Sequence, residues 1–171
     1  MNGCAGQSAD GGLPVGRITR VCSPKATVWV AARIAVPDTA GSPVLADHPV
    51  FAGVAGVSGA YYAPVNRGCQ NLPIAFMALH GMNDTLTPYY GTTRRGVRVM
   101  PVPELFASYS ARNGCGPGLD RAPAGNNATR VSARGCSKGV EVIQVHGSNH
   151  FWWYSPSAAD EMWAFLSRHS K

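Results

Sequence analysis

Short apolar runs recur along the chain, separated by stretches rich in glycine, proline and small polar residues. Four of these runs have the length of strands and are mostly apolar, which is typical of strands covered on both faces of a sheet. We therefore predict strands at residues 26–32, 51–57, 73–79 and 140–145.

Helical spacing of apolar residues predicts helices at residues 103–112 and 158–168. In the second helix, the apolar residues that recur at intervals of three and four positions form one face: Ala159, Met162, Trp163 and Leu166. Ser157 or Ser155 can cap its start, because a serine hydroxyl accepts hydrogen bonds from the first free N–H groups of a helix.

Residues 114–139, between the first helix and the last strand, are rich in glycine and asparagine and are predicted to form a long loop. With 45% hydrophobic residues the chain is not a disordered polymer and has material for a core. Apolar strands covered on both faces, together with the two helices, predict an α/β fold with a mostly parallel sheet flanked by helices.

Two loops carry candidate chemistry. Asp84 follows the predicted strand at 73–79 through His80-Gly81, and His150 follows the last strand after a Gly147-Ser148-Asn149 turn. Ligands bind beyond the carboxyl ends of strands in open α/β sheets, where both loops would lie. An aspartate that orients a histidine base is two-thirds of a hydrolase triad, and the order Asp then His suits an α/β-hydrolase.

Each of these residues also has a structural interpretation. Asp84 could cap a turn, and His150 could be a surface histidine. His146 and His150 are spaced like a metal pair on a helix, but here they span a strand end and a turn with no evident third ligand. We therefore predict no metal and no cofactor. His80 is expected to fix its loop by hydrogen bonding.

From about residue 51 to its end, the chain resembles the C-terminal half of secreted esterases that include feruloyl esterases and poly(3-hydroxybutyrate) depolymerase-like enzymes. The resemblance rests on five segments in the same order: 51–60, His80-Gly81 to Asp84 with Pro88-Tyr89, 111–115, Gly135-Cys136, and the His150 loop with its tryptophans.

This resemblance implies that residues 51–171 form the C-terminal part of an α/β-hydrolase domain, and that residues 1–50 are a degenerate or truncated N-terminal portion. It implies a carboxylic ester hydrolase that acts on feruloyl esters of plant cell-wall polysaccharide, with Asp84 and His150 in a Ser/Asp/His mechanism. Polyhydroxyalkanoate esters are the alternative substrates. No nucleic acid or membrane partner is expected, since no basic stripe interleaved with aromatics and no long apolar segment is present.

The nucleophile is unknown. Family members carry G-x-S-x-G after a strand, and placing residues 28–30 on that strand puts Ile34 where the serine belongs. Ser58, in Gly56-Val57-Ser58-Gly59-Ala60, is a weak candidate because the last glycine is missing, and Ser42 is no better. Residues 2–10 resemble the oxyanion-hole loop but can equally be a plain N-terminus. A catalytically inactive remnant, or a truncated or frame-shifted reading frame, is therefore the alternative.

Aromatic residues of the two loops, Tyr89, Trp152 and Trp153, are candidate substrate-binding residues, and packing is the equal alternative. The resembling family has cysteines at the positions of Cys115 and Cys136, and we predict that these two are bonded. Cys69 could pair with Cys22 or Cys4. Cysteines and resemblance together imply an extracellular protein, although no signal peptide is visible. Asn127-Ala128-Thr129 fits the glycosylation acceptor pattern.

Overall fold

The computed structural model of the protein describes residues 53–63 and 72–169. Several positions considered above lie outside these residues: the predicted strand at 26–32, the loop at 2–10, Ile34, Ser42, Cys4, Cys22 and Cys69. The described elements are, in chain order, β1 (Gly53–Val57), β2 (Ala75–Gly81), β3 (Thr92–Arg94), β4 (Val97–Val99), α1 (Val102–Arg112), β5 (Leu119–Pro123), β6 (Ala128–Ala133), β7 (Val140–Val145) and α2 (Ala158–Ser167).

Five strands form the main sheet in the order β1-β2-β7-β6-β5, and β3 pairs with β4 in a separate two-stranded ribbon. The β1, β2 and β7 strands are parallel, whereas β6 runs antiparallel to both β7 and β5. The predicted α/β class is confirmed. The predicted mostly parallel sheet is correct for β1, β2 and β7 only, and within the described residues the sheet is mixed.

The antiparallel part of the sheet is formed by strands within residues 114–139, for which the sequence pattern predicts a long loop. This segment contains the β5–β6 hairpin. All five residues of β5 are exposed, and β6 buries only Ala128 and Val131. Such strands lack a clear alternation of apolar and polar positions, and hydrophobic pattern alone therefore does not separate them from a loop.

The sheet lies between the two helices. Every residue of β2 is buried, because α2 covers one face of the sheet and α1 the other. Successive β2 side chains alternate between the two cores, so that Met77 and Leu79 pack on the α2 side and Phe76 on the α1 side. On the α1 side, the ring of Phe76 stacks on Tyr109 with centroids 4.0 Å apart.

Both predicted helices are present, and Ser157 caps α2 by accepting a hydrogen bond from the Asp160 N–H. The predicted apolar face of α2 needs correction. The residues that it buries are Ala158, Met162, Phe165 and Leu166. Trp163 is 69% exposed. Two overlapping stripes fit the helical period, and the pattern alone does not decide which one meets the sheet.

The end of α1 is joined to the edge of the sheet where β2 begins. Asn113 is buried, and its side-chain amide donates to the Ile74 and Lys138 carbonyls while its oxygen accepts from the Ile74 N–H. Beside it, the predicted disulfide between Cys115 and Cys136 is present. These bonds connect α1, the start of β2 and the β6–β7 connection.

Candidate active site

The Asp84 and His150 loops lie side by side because the strands that precede them are parallel neighbours. Gly81, the last residue of β2, pairs with Val145, the last residue of β7. Both loops therefore leave the sheet at the same edge. This edge is the carboxyl end of the parallel strands, where open α/β sheets bind ligands.

Backbone and side-chain hydrogen bonds hold the two loops together. The Asn83 N–H donates to the Ser148 carbonyl over 2.9 Å. The Asn149 side-chain oxygen accepts from the N–H groups of Thr85 (2.9 Å) and His150 (2.8 Å). Because one side chain receives bonds from both loops, Asn149 sets the position of His150 relative to the Asp84 loop.

Gly81 allows this close approach. A Cβ at this position would overlap the carbonyl oxygens of Ser148 and Asn149, which are backbone atoms that cannot turn aside as a side chain would. The glycine after His80 is therefore required by the packing of the His150 loop on the strand end.

The Asp84 carboxylate is buried and accepts hydrogen bonds on both oxygens. Its Oδ1 accepts from the N–H groups of Leu86 (2.9 Å) and Thr87 (2.8 Å). Its Oδ2 lies 2.9 Å from the Thr87 hydroxyl and 2.9 Å from Nδ1 of His150. Burial alone would raise the pKa of Asp84, but the bonds from Thr87, His150 and Leu86 outweigh it and lower that pKa. The carboxylate is thus held in its ionised form.

The bond to Asp84 sets the orientation and tautomer of His150. With Nδ1–H donating to the buried carboxylate, the neutral ring carries its free electron pair on Nε2. The side chain of His150 is 36% exposed, and no described residue is hydrogen bonded to its Nε2. A histidine held in this way can take a proton from a hydroxyl group that approaches Nε2.

Thr87 is a part of the site that the sequence analysis missed. Its hydroxyl oxygen lies 2.9 Å from Asp84 Oδ2, 3.0 Å from the Ser58 carbonyl and 3.2 Å from His150 Nδ1. It therefore connects the end of β1 with both candidate catalytic residues. A signal existed in the spacing Asp84-x-x-Thr87, which is typical of a turn in which the aspartate accepts backbone N–H groups ahead of it.

His80 fixes the loop as predicted. Its buried Nε2 donates to the Thr87 carbonyl over 2.7 Å and lies 3.3 Å from Asp84 Oδ2. Burial lowers the pKa of His80 against the opposing effects of the Thr87 carbonyl and Asp84. Its Nδ1 is buried with no partner among the described residues, which suits a neutral ring with its proton on Nε2.

Ser58 follows β1 at the same edge, but its hydroxyl donates to the Phe151 carbonyl over 3.2 Å. The residue is buried and has a φ of 48°, in the left-handed region. Its carbonyl oxygen lies 3.0 Å from the Thr87 hydroxyl oxygen. These contacts give Ser58 a place in the structure that supports the two loops, with its hydroxyl directed to a backbone oxygen.

The three predicted substrate-binding aromatics differ in exposure. Tyr89 is 3% exposed and its hydroxyl accepts from Gln144, while Trp153 is 7% exposed and its indole N–H donates to Ser148. Both pack inside the protein, which favours the packing alternative for these two residues. Trp152 is 39% exposed, next to an exposed Phe151.

His146 and His150 do not form a pair. His146 Nε2 bonds to the Thr129 hydroxyl over 2.8 Å, whereas His150 bonds to Asp84. Within residues 53–63 and 72–169, no group of three or more His, Cys, Asp or Glu side chains could hold a metal ion. Neither described helix has the length and hydropathy of a transmembrane helix.

The chain is similar to two fungal proteins. It is 33% identical over 109 residues to a probable feruloyl esterase C of Aspergillus niger, an overlap of 60% of this chain and 37% of the relative. It is 30% identical over 128 residues to feruloyl esterase D of Neurospora crassa, an overlap of 67% of this chain and 39% of the relative. The chain thus matches less than half the length of either relative. No family model matches it.

Proposed function

We propose that the chain is a carboxylic ester hydrolase of the feruloyl esterase type, in which His150 is the general base and Asp84 orients it. The observation that carries the proposal is the 2.9 Å bond between His150 Nδ1 and the buried, ionised Asp84, with Nε2 left open. The two similar proteins named feruloyl esterases support the same chemistry.

The proposed reaction proceeds through an acyl-enzyme. A serine hydroxyl loses its proton to His150 Nε2 as its oxygen bonds to the ester carbonyl carbon. The bond from that carbon to the alcohol oxygen then breaks, and His150 returns the proton to the leaving alcohol. Water next attacks the acyl carbon and gives a proton to His150. The bond from that carbon to the serine oxygen breaks, His150 returns the proton to the serine oxygen, and the acid is released. Asp84 stabilises the charged imidazole in both halves of the cycle.

The feruloyl class is favoured over polyhydroxyalkanoate esters by two exposed aromatic residues that follow the base in the chain. Phe151 and Trp152 follow His150 directly and are 61% and 39% exposed. Exposed rings next to a reacting centre suit an aromatic acyl group, which can stack on them. We place residues 51–171 in the C-terminal part of an α/β-hydrolase domain, supported by the parallel β1, β2 and β7 strands with the site at their carboxyl ends.

The alternative is a remnant that keeps the base and its aspartate without a nucleophile. It is favoured by one observation, namely that no hydroxyl group of the described residues is bonded to Nε2 of His150. Ser58 is a poor nucleophile in the observed arrangement, since its hydroxyl donates to the Phe151 carbonyl.

Labelling with a fluorophosphonate, followed by peptide mapping, tests the proposal because this reagent reacts with activated serines. We expect one labelled serine, with labelling lost in a His150→Ala variant and kept in Ser58→Ala. His169→Ala is the matched control, because the His169 ring lies against Gly139, just before β7 and at the opposite edge of the sheet. Methyl ferulate hydrolysis should fall in parallel with labelling, by a factor on the order of 10³ or more in His150→Ala.

Two results would decide against the esterase. A folded chain that takes no label and does not hydrolyse methyl ferulate would be the remnant. Labelling that persists at full rate in His150→Ala would show a serine that does not depend on this histidine. Label on Ser58 would instead identify that residue as the nucleophile.

A further inference from the structure

A shallow cleft of about 340 Å³ lies at the end of the β5–β6 hairpin. Its lining combines apolar surface with several polar side chains and includes no acidic residue. The lining side chains that can hydrogen bond are Arg121, Asn126, Asn127, Thr129 and His146.

The cleft opens at the same edge of the sheet as Asp84 and His150. Because β5 and β7 are both antiparallel to β6, they run in the same direction and end at the same edge. His146 follows β7 directly and lies on the connection that leads to His150. The hairpin turn also meets this connection further along, where a Cβ on Gly125 would lie 3.7 Å from Pro156.

Hydrogen bonds hold part of the cleft wall in place. The Thr129 hydroxyl and His146 Nε2 are 2.8 Å apart, and the Asn127 amide donates to the His146 carbonyl over 3.3 Å. Asn126 and Asn127 remain exposed in the turn. A wall with fixed polar groups loses little conformational freedom when it binds a ligand.

Arg121 contributes a positive charge to the cleft and forms no ion pair with a carboxylate of the described residues. Four arginines of the described residues form ion pairs with carboxylates, namely Arg98, Arg130, Arg134 and Arg168. Arg121 forms none among the described residues, and it lies near enough to Tyr89 to oppose the rise that burial causes in the pKa of that phenol. Its five N–H donors are therefore available at the cleft.

We propose that this cleft binds the saccharide half of the ester substrate, which deepens the proposed function and rests on it. Sugar hydroxyls both donate and accept, and they match amide, hydroxyl, imidazole and guanidinium groups placed close together. The absence of acidic residues from the lining speaks against a cation. An open cleft also lets a polymer enter and leave on either side, while the acyl group reaches His150.

The test uses arabinoxylan oligosaccharides that carry no ester groups, titrated into the full chain and followed by amide chemical shifts in NMR. We expect the amides of residues 121–129 and His146 to shift. Arg121→Ala and Asn126→Ala should each weaken binding by roughly tenfold, the loss of one good hydrogen bond. Arg94→Ala is the charge-matched control, since Arg94 is exposed on β3 and does not line the cleft. It should bind as the unchanged chain does.

Binding without reaction separates this proposal from the proposed function. If oligosaccharide binds at the cleft but no serine is labelled, the cleft stands and the esterase fails. If the chain hydrolyses methyl ferulate but these amides do not move, the cleft proposal is overturned. It is also overturned if Arg94→Ala weakens binding as much as Arg121→Ala. The protein should come from a host that adds no N-glycans, so that Asn127 presents its free side-chain amide at the cleft.

Discussion

At the scale of single residues, Asp84 and His80 show how burial has opposite consequences for two titrating groups. Asp84 is ionised in the interior because N–H and O–H groups converge on its oxygens. For His80, the Thr87 carbonyl and the Asp84 charge do not offset the loss of hydration, so the pKa of the ring is lowered and the ring is neutral. A neutral His80 leaves His150 as the ring that pairs with Asp84, and its own N–H supports the Thr87 carbonyl.

The buried His80 makes the stability of the fold depend on pH. Its folded pKa lies below the usual 6.5, so as pH falls through about 6.5 the unfolded chain binds a proton that the folded chain does not. The contribution is complete above that pH and is lost below it. We expect the free energy of unfolding to fall between about pH 7 and about pH 5, by up to ~1.4 kcal/mol per pH unit from this residue.

Denaturant unfolding of His80→Gln at both pH values measures this contribution. Glutamine keeps an N–H donor for the Thr87 carbonyl but does not titrate, so the fall with pH should be shallower than in the unchanged chain. Burial also lowers the pKa of His169, which remains in both proteins. The variant His169→Gln therefore measures how much of the pH dependence of unfolding comes from His169. Equal pH dependence in His80→Gln and the unchanged chain would contradict the assignment.

At the scale of elements, the site depends on which loops follow which strands. The parallel pairing of β2 with β7 places the two loops together, and α2 covers the sheet behind them through Met162 and Phe165. The other side of the sheet is covered by α1 and the Phe76–Tyr109 stack. The strands are therefore held on both faces while their carboxyl ends stay open.

The two aromatic residues of α2 should differ in their contribution to stability. Phe165 is fully buried against the sheet, whereas Trp163 is 69% exposed. We expect Phe165→Ala to lower the free energy of unfolding by about 3–5 kcal/mol through lost burial and a cavity. Trp163→Ala should change it by less than ~1 kcal/mol. Urea unfolding of both variants measures these changes. A larger fall in the free energy of unfolding for Trp163→Ala than for Phe165→Ala would favour the helix face predicted from the sequence.

At the scale of the whole molecule, the candidate site and the covalent link lie at opposite edges of the sheet. Asp84 and His150 follow the strand ends, whereas Asn113 and the disulfide join α1 to residues before β2 and β7. The link is thus placed to stabilise the fold without touching the site.

Replacing both disulfide cysteines should separate stability from function. The bridge closes a loop with a sequence separation of 21 and should contribute about 3 kcal/mol by restricting the unfolded chain. We expect a Cys115→Ser, Cys136→Ser double variant to unfold at lower urea concentration by that free energy. Below its unfolding transition, serine labelling and oligosaccharide binding should match those of the unchanged chain. Equal unfolding midpoints would contradict the contribution, and loss of binding in a folded variant would contradict the separation of the two edges.

The local pattern of the sequence was sufficient for the α/β class, for both helices, and for three of the strands, because apolar spacing reports directly on burial. It also placed Asp84 and His150 in loops that follow two of these strands, and it assigned His80 to the support of its loop. The resemblance to secreted esterases led to the disulfide.

Tertiary structure alone decided the rest, because the deciding contacts join residues far apart in the chain. The exposed β5 has no pattern of its own and is a strand only because β6 pairs with it. Trp163 and Phe165 fit the helical period equally well until the sheet selects Phe165. Thr87 and Asn149 enter the site through bonds between loops that lie more than sixty residues apart. No local spacing encodes such bonds, whose geometry exists only when the strands beneath them have paired.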